Sequence, residues 1–257
     1  MPMQSQDTFA GIVRRAEKSR DAMRQWFPLL EELAHYFYND RQGFLAEQTP
    51  GQEMNIDIWD SSPEGHRARL SQAFVDAMCP RDRYWVGMET ANKQLMLQDE
   101  VRLWCQITSY VMYLVIHDPR SNFIEAMAEL GDDSCSFGTA VMFIDYDNKG
   151  RHLVFQCKHL KNIAVDVDAN GKILRHYCWW PMSVEDMVNE FGIDAIPADM
   201  ANEYRQARDG GGCSEKKFEV IHAVIASDDY ARYGAGIGRK QYRSLWILKQ
   251  GNHLLSE

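Results

Sequence analysis

The spacing of apolar residues changes once along the chain, near Gly131, and that change limits the possible folds more than any motif does. Before it, apolar residues recur every three or four positions, the period of an α-helix with one apolar face. Phe9, Ile12, Val13 and Ala16 begin such a stripe, and Met23, Trp26, Phe27, Leu30, Leu33 and Phe37 continue it. Pro28 lacks the amide that would bond back to Arg24, so the stripe is expected to kink or break there. A second helix is expected from Ser62 as N-cap and Pro63 at the first helical position, with Leu70, Ala73, Phe74, Ala77 and Met78 on one face and Pro80 as its stop. A third carries Leu97, Val101, Trp104, Ile107, Val111 and Leu114. A short fourth has Phe123, Met127 and Leu130 facing one way.

After Gly131 the period shortens to two. Strands are expected over 139–146, 152–157, 162–167, 172–179, 218–226 and 242–249, with "DNKG" and "DANG" as hairpin turns. In the third run Ile163, Val165 and Val167 alternate with Asn162, Ala164 and Asp166, which predicts a strand buried on its aliphatic side. "PMSVEDMVNEFG" reads as a helix with Ser183 as N-cap, Asp186 three residues on and Gly192 past its end. "DGGGCSEKK" reads as a loop, and "QGN" as a turn into a last arm, "HLLSE". The fold class is therefore α+β: a helical part over 1–130, then an antiparallel β-rich part with short helices over 131–257.

A chain of 257 residues is long enough to bury a real core in one large domain or two small ones. No apolar run approaches the ~18 residues of a membrane span, and "YVMYLVI" is the densest. "MPMQSQDTF" has neither the basic nor the apolar region of a secretory signal, and six cysteines without CxxC spacing are expected to be reduced thiols. A net charge of −9 argues against a broad basic face for gripping nucleic acid.

Four constellations bear on chemistry. Cys157 and His159 lie two apart, as do His176 and Cys178; paired strands would offer a tetrahedral zinc site, but the spacing is unusual and thiols also fill sheet cores. No metal site is assigned. "GAGIGRK" at 234–240 resembles a phosphate-cradling loop, yet follows no clear strand and opens no helix, so it reads as a plain loop. Trp179 and Trp180 offer a stacking platform for bases or sugars; the commoner arrangement is a pair straddling a sheet edge, one ring buried and one partly exposed. No Ser-His-Asp, paired-carboxylate or HExxH pattern stands out, so no catalytic or cofactor-binding residue is assigned.

The ordered set of segments carries a resemblance. Asp60–Ser61 at a helix entry, Trp85 after that helix and Phe137–Gly138–Thr139 turning into the sheet come first. His159–Leu160, the Asp168–Gly171 hairpin and Phe191–Gly192 at a helix end follow. Together they resemble the head-to-tail connecting (portal) proteins of short-tailed double-stranded DNA bacteriophages, from about Phe9 to the last residue. The resemblance implies the wing region of a ring of twelve subunits at one capsid vertex, a conduit for double-stranded DNA in packaging and ejection. It implies contacts with terminase, scaffold, capsid and tail proteins, assembly in the host cytoplasm, a place in the virion, and neither enzymatic activity nor a cofactor. Gly138 is expected to be where the chain turns without a Cβ clash.

Proteins of this kind are longer, with a stem and clip, so the chain is expected to be their N-terminal part, interrupted within a hairpin. Trp246, Leu248, Leu254 and Leu255 are then expected to be left partly uncovered. The competing readings are a Cys/His metal-dependent nucleic-acid-processing enzyme and a generic prophage scaffold or interaction protein.

Overall fold

Pro28 sets the first boundary in a computed structural model, which describes residues 6–46, 58–147, 149–210, 216–226 and 241–257. Helix α1 (Gln6–Arg24) ends short of it and α2 (Phe27–Phe37) starts with the proline in its first turn, where a missing N–H costs nothing. The break separates two compact units. One joins Met1–Gln25 to Lys161–Glu257, and the other is Trp26–Leu160. The change from helix to strand comes after Phe137 rather than at Gly131, and it falls inside the second unit.

The first unit is a five-stranded antiparallel sheet with helices on both faces. Its strands run in order β3 (Ile163–Val167), β4 (Ile173–Ser183), β5 (Lys217–Ala226), β6 (Tyr242–Leu248) and β7 (His253–Ser256). Alternation sends Trp179, Ile221 and Ile247 to one face, where α1 lays Phe9, Ile12, Val13 and Ala16 on them. Trp180, Val220 and Leu248 go to the other, under α6 (Val184–Phe191) and α7 (Ala198–Gly210). Ser183 and Asp186 form the expected reciprocal cap of α6, and Gly192 ends it at φ 88°. The "DANG" turn holds as expected: the Asp168 carboxylate accepts the amides of Asn170 and Lys172, and Gly171 sits at φ 78°. Helix α7 was not anticipated, and most of the "DGGGCSEKK" loop lies outside the described residues.

Two expectations for this unit are overturned. Ile163 of β3 is buried as expected, but Val165 and Val167 are exposed, whereas Ala164 is buried and Asp166 points inward. The reason is α1: small Ala164 lets the helix approach, and Asp166 takes Arg15 and Ser19 from it and Arg175 from β4. Leu248 and Leu255 are not left uncovered, because β7 pairs with β6 and both side chains enter the core beneath α6 and α7. Trp246 and Leu254 are half-buried.

The second unit holds α2, α3 (Ser62–Met78), α4 (Asp99–Ile116), α5 (Phe123–Phe137) and the hairpin β1 (Val141–Asp147) and β2 (His152–Lys158). Its core gathers Phe123, Ala126, Met127 and Phe155. Ser61 takes the N-cap position of α3, one residue before the one expected, and the Asp60 carboxylate accepts the Ser62 amide. Helix α5 passes through Gly131, where a Cβ would stand 2.5 Å from Val75 of α3, and stops at Gly138, which turns at φ 73° as expected.

Candidate assembly surface

Helix α4 is fastened along one side only. The preceding strap, residues 84–98, lies against it: the Ser109 hydroxyl accepts the Met88 amide at 2.8 Å, and the Tyr84 ring meets those of Tyr110 and Tyr113. Cys105, the buried residue of the helix, faces Met96 at 4.0 Å. At the C-terminal end His117 stacks on Tyr113 and meets Phe123, while Trp85 stacks on Phe123 at 5.7 Å, tying strap and helix to the start of α5.

The opposite side of α4 is apolar and open. At 100° per residue, Leu103, Trp104, Ile107, Val111, Leu114 and Val115 fill an arc of roughly 120°. Trp104 is 60% exposed and Ile107 55%. The stripe read from the sequence is real, but it faces outward. The same is true of α3, whose Leu70, Phe74 and Met78 are exposed while Ser71 and Val75 pack toward α5. A groove beside Leu70 is lined by Leu33 and Phe37 of α2, Pro63 and His66 of α3, and Cys135 and Ser136 at the end of α5. Trp59, just before α3, is 97% exposed.

Beneath this surface the charges are internally paired. The Arg41 guanidinium grips both oxygens of buried Asp133, at 2.9 and 3.0 Å, and reaches Glu129 at 3.4 Å. Cys157 donates to Asp133 at 3.4 Å, and burial, then the Asp133 charge, push its thiol up to about 12. Such a thiol stays protonated and is a poor nucleophile or metal ligand. Arg67 pairs with Asp132 and lies 4.3 Å over the Tyr38 ring; burial, then Asp132, push that phenol up to about 12.

The Cys/His couples do not lie on paired strands, since β2 and β4 belong to different sheets. Cys157 and His159 belong to the second unit, where His159 meets the Arg41 carbonyl at 3.0 Å. His176 and Cys178 belong to β4 of the first, with Cys178 buried. Among the described residues no three His, Cys, Asp or Glu side chains stand close enough to share a metal ion. Trp179 and Trp180 lie beyond the end of the pairing of β4 with β3, bonded to β5 alone, and point to opposite faces, one ring buried and one partly exposed as expected. Trp179 is buried under Arg20 of α1, and half-buried Trp180 packs on Trp246, so the two rings form no common platform. "GAGIGRK" lies outside the described residues. No described helix is long and apolar enough to cross a membrane.

The sequence signal that marks this surface was present in the stripes of α3 and α4; what it lacked was which stripes stay open. A family model for the bacteriophage head to tail connecting protein matches residues 10–257. No curated protein matches the chain.

Proposed function

The chain belongs to the bacteriophage head to tail connecting proteins, and from that premise we propose that it is a structural subunit of the connector at the portal vertex of a phage capsid. The observation that carries this reading is the open apolar face of α4, with a second exposed stripe on α3 in the same unit. A helix bare along its most apolar side is built to be covered by protein. A catalytic protein of this size would concentrate perturbed acids, bases or nucleophiles in a cleft. Here the most strongly shifted groups of the second unit, among them Arg41, Cys157 and Asp118, are held in internal pairs, and the surface of the clefts is mainly apolar.

In this reading copies of the chain form a ring, the two units correspond to the wing region of the connector, and double-stranded DNA passes through the assembly during packaging and ejection. Capsid, scaffold and tail proteins contact the ring, and a separate terminase supplies the work of packaging. The protein itself performs no catalysis and holds no cofactor. The net charge of −9 suits a conduit wall, because phosphates moving past it exchange few counterions and are not trapped.

The test is to place an epitope tag on the chain in the phage that encodes it and image antibody-labelled particles. Label at a single vertex of each capsid is the expected result. Particles that lack the chain, or carry it over the whole shell, would defeat the proposal.

A further inference from the structure

We infer that the open face of α4 in one copy docks into the groove between α2 and α3 of the next copy, a head-to-tail contact that closes into a ring. The inference rests on the connector reading and names the surfaces that would build it.

Three observations choose a second copy as the occupant. The first is area. With about half of each side chain bare, the face from Leu103 to Val115 offers apolar surface on the order of 800 Å², the share each partner brings to a standard stable interface, whereas a monomer leaves a few hundred Å² uncovered. The second is shape. Trp104, Ile107, Val111 and Leu114 form a ridge at helical spacing, the kind of anchor row that an apolar groove receives. The unit carries such a groove, of about 580 Å³, walled by Leu33, Phe37, Pro63 and Leu70.

The third is placement within the unit. The ridge is tied to the start of α5 through His117 and Phe123, and the groove opens at its end, at Cys135 and Ser136. Thirteen residues of helix put about 20 Å between those points. The ridge of one copy is not in its own groove, and a chain bearing both complementary surfaces at separate places is made for a heterologous contact. Such contacts propagate until they close. The four ridge residues are apolar, and of the charged side chains in the groove Arg67 is already paired with Asp132 while exposed Asp60 accepts the Ser62 amide.

The experiment uses two variants of the full chain. Ile107→Asp with Val111→Asp spoils the ridge, and Leu70→Asp with Phe37→Asp spoils the groove. All four positions are exposed, and circular dichroism checks that each variant keeps the wild-type helix content. Analytical ultracentrifugation should find the wild type as a closed multi-copy species and each variant as a monomer. An equimolar mixture of the two should give a dimer and nothing larger, since only one intact ridge and one intact groove remain. Ile144→Asp, at an exposed position on β1, should assemble as the wild type does.

Folded variants that stay monomeric when mixed, a variant that still assembles alone, or a wild type that is monomeric would each overturn the inference. Single-vertex labelling of the particles would leave the connector reading standing in every one of those cases, so the two fail separately.

Discussion

Gly131 fixes how closely α3 and α5 cross. A methyl group there would meet Val75 at 2.5 Å and the Ser71 hydroxyl at 3.0 Å, and a valine side chain has little freedom to move aside. Alanine is the better helix former by about 1 kcal/mol, but overpacking costs about 1–3 kcal/mol. Gly131→Ala should therefore destabilise the second unit by up to roughly 2 kcal/mol in urea denaturation, and a gain in stability would show that the helices can part. Asp166 acts at the same scale in the first unit. Burial alone would raise its carboxyl, but hydrogen bonds from Ser19, Arg15 and Arg175 outweigh that and hold it below the usual carboxylate range. Glu219 is alike: burial opposes, and Lys249 and Arg20 prevail. Groups with depressed folded values stabilise the native state above about pH 4, where the unfolded carboxyls ionise, and lose that contribution as pH falls through the lower folded values. Thermal melts should show the first unit weakening as pH falls below about 4. Asp166→Asn should melt lower at pH 7, by about 2 kcal/mol, with a flatter acid dependence. An unchanged acid profile would mean that Asp166 does not anchor α1.

At the scale of elements, features fixed by neighbours in the chain were legible. The Ser183–Asp186 cap, the Gly138 and Gly192 stops, the Asp168 turn and the break before Pro28 are each dictated within a few residues. What a period cannot convey is the partner. The stripes of α3 and α4 were visible, yet nothing in their spacing says whether a core or another molecule covers them. For β3 the two candidate faces differ by one residue, and the choice fell to α1, which lies more than a hundred residues away in sequence. Helix α7, with few apolar residues and strongly polar texture, gave little signal. The last arm after the "QGN" turn forms as expected, as β7; what four residues could not convey is that their pairing with β6 leaves Leu248 and Leu255 covered. The consequence is measurable. Leu248 is fully buried, so Leu248→Ala should cost about 3 kcal/mol, and the amides of β6 facing β5 should exchange slowly in the free chain. Rapid exchange throughout 242–248 would mean that the strand frays.

At the scale of the whole molecule, electrostatics predicts indifference to DNA. The charge of −9 leaves too few counterions to release, so binding to duplex DNA should be weak and lost by about 0.15 M salt. Sub-micromolar affinity in an anisotropy titration at that salt would contradict this. The division into units gives a second prediction. The first unit takes its α1 from one end of the sequence and its sheet from the other. Deleting residues 1–25 strips Phe9, Ile12, Val13 and Ala16 from the face holding Trp179, Ile221 and Ile247. Hydrogen exchange should then rise across β3 to β6 while α3 and α5 stay protected. Equal loss in both units would show that they unfold as one.

That divided origin has a consequence in time as well as in energy. On the ribosome α1 emerges first, while the strands that cover it, from Ala164 to Ile247, are still unmade. At 5–20 residues per second the helix waits roughly 10–50 s with its aliphatic side bare, much longer than the microseconds in which a helix forms. During that interval the Trp26–Leu160 unit has time to complete itself. The slowest moment in the life of a new chain is thus the return of its second half to its first turns, and a helper that shields nascent chains would find its substrate there.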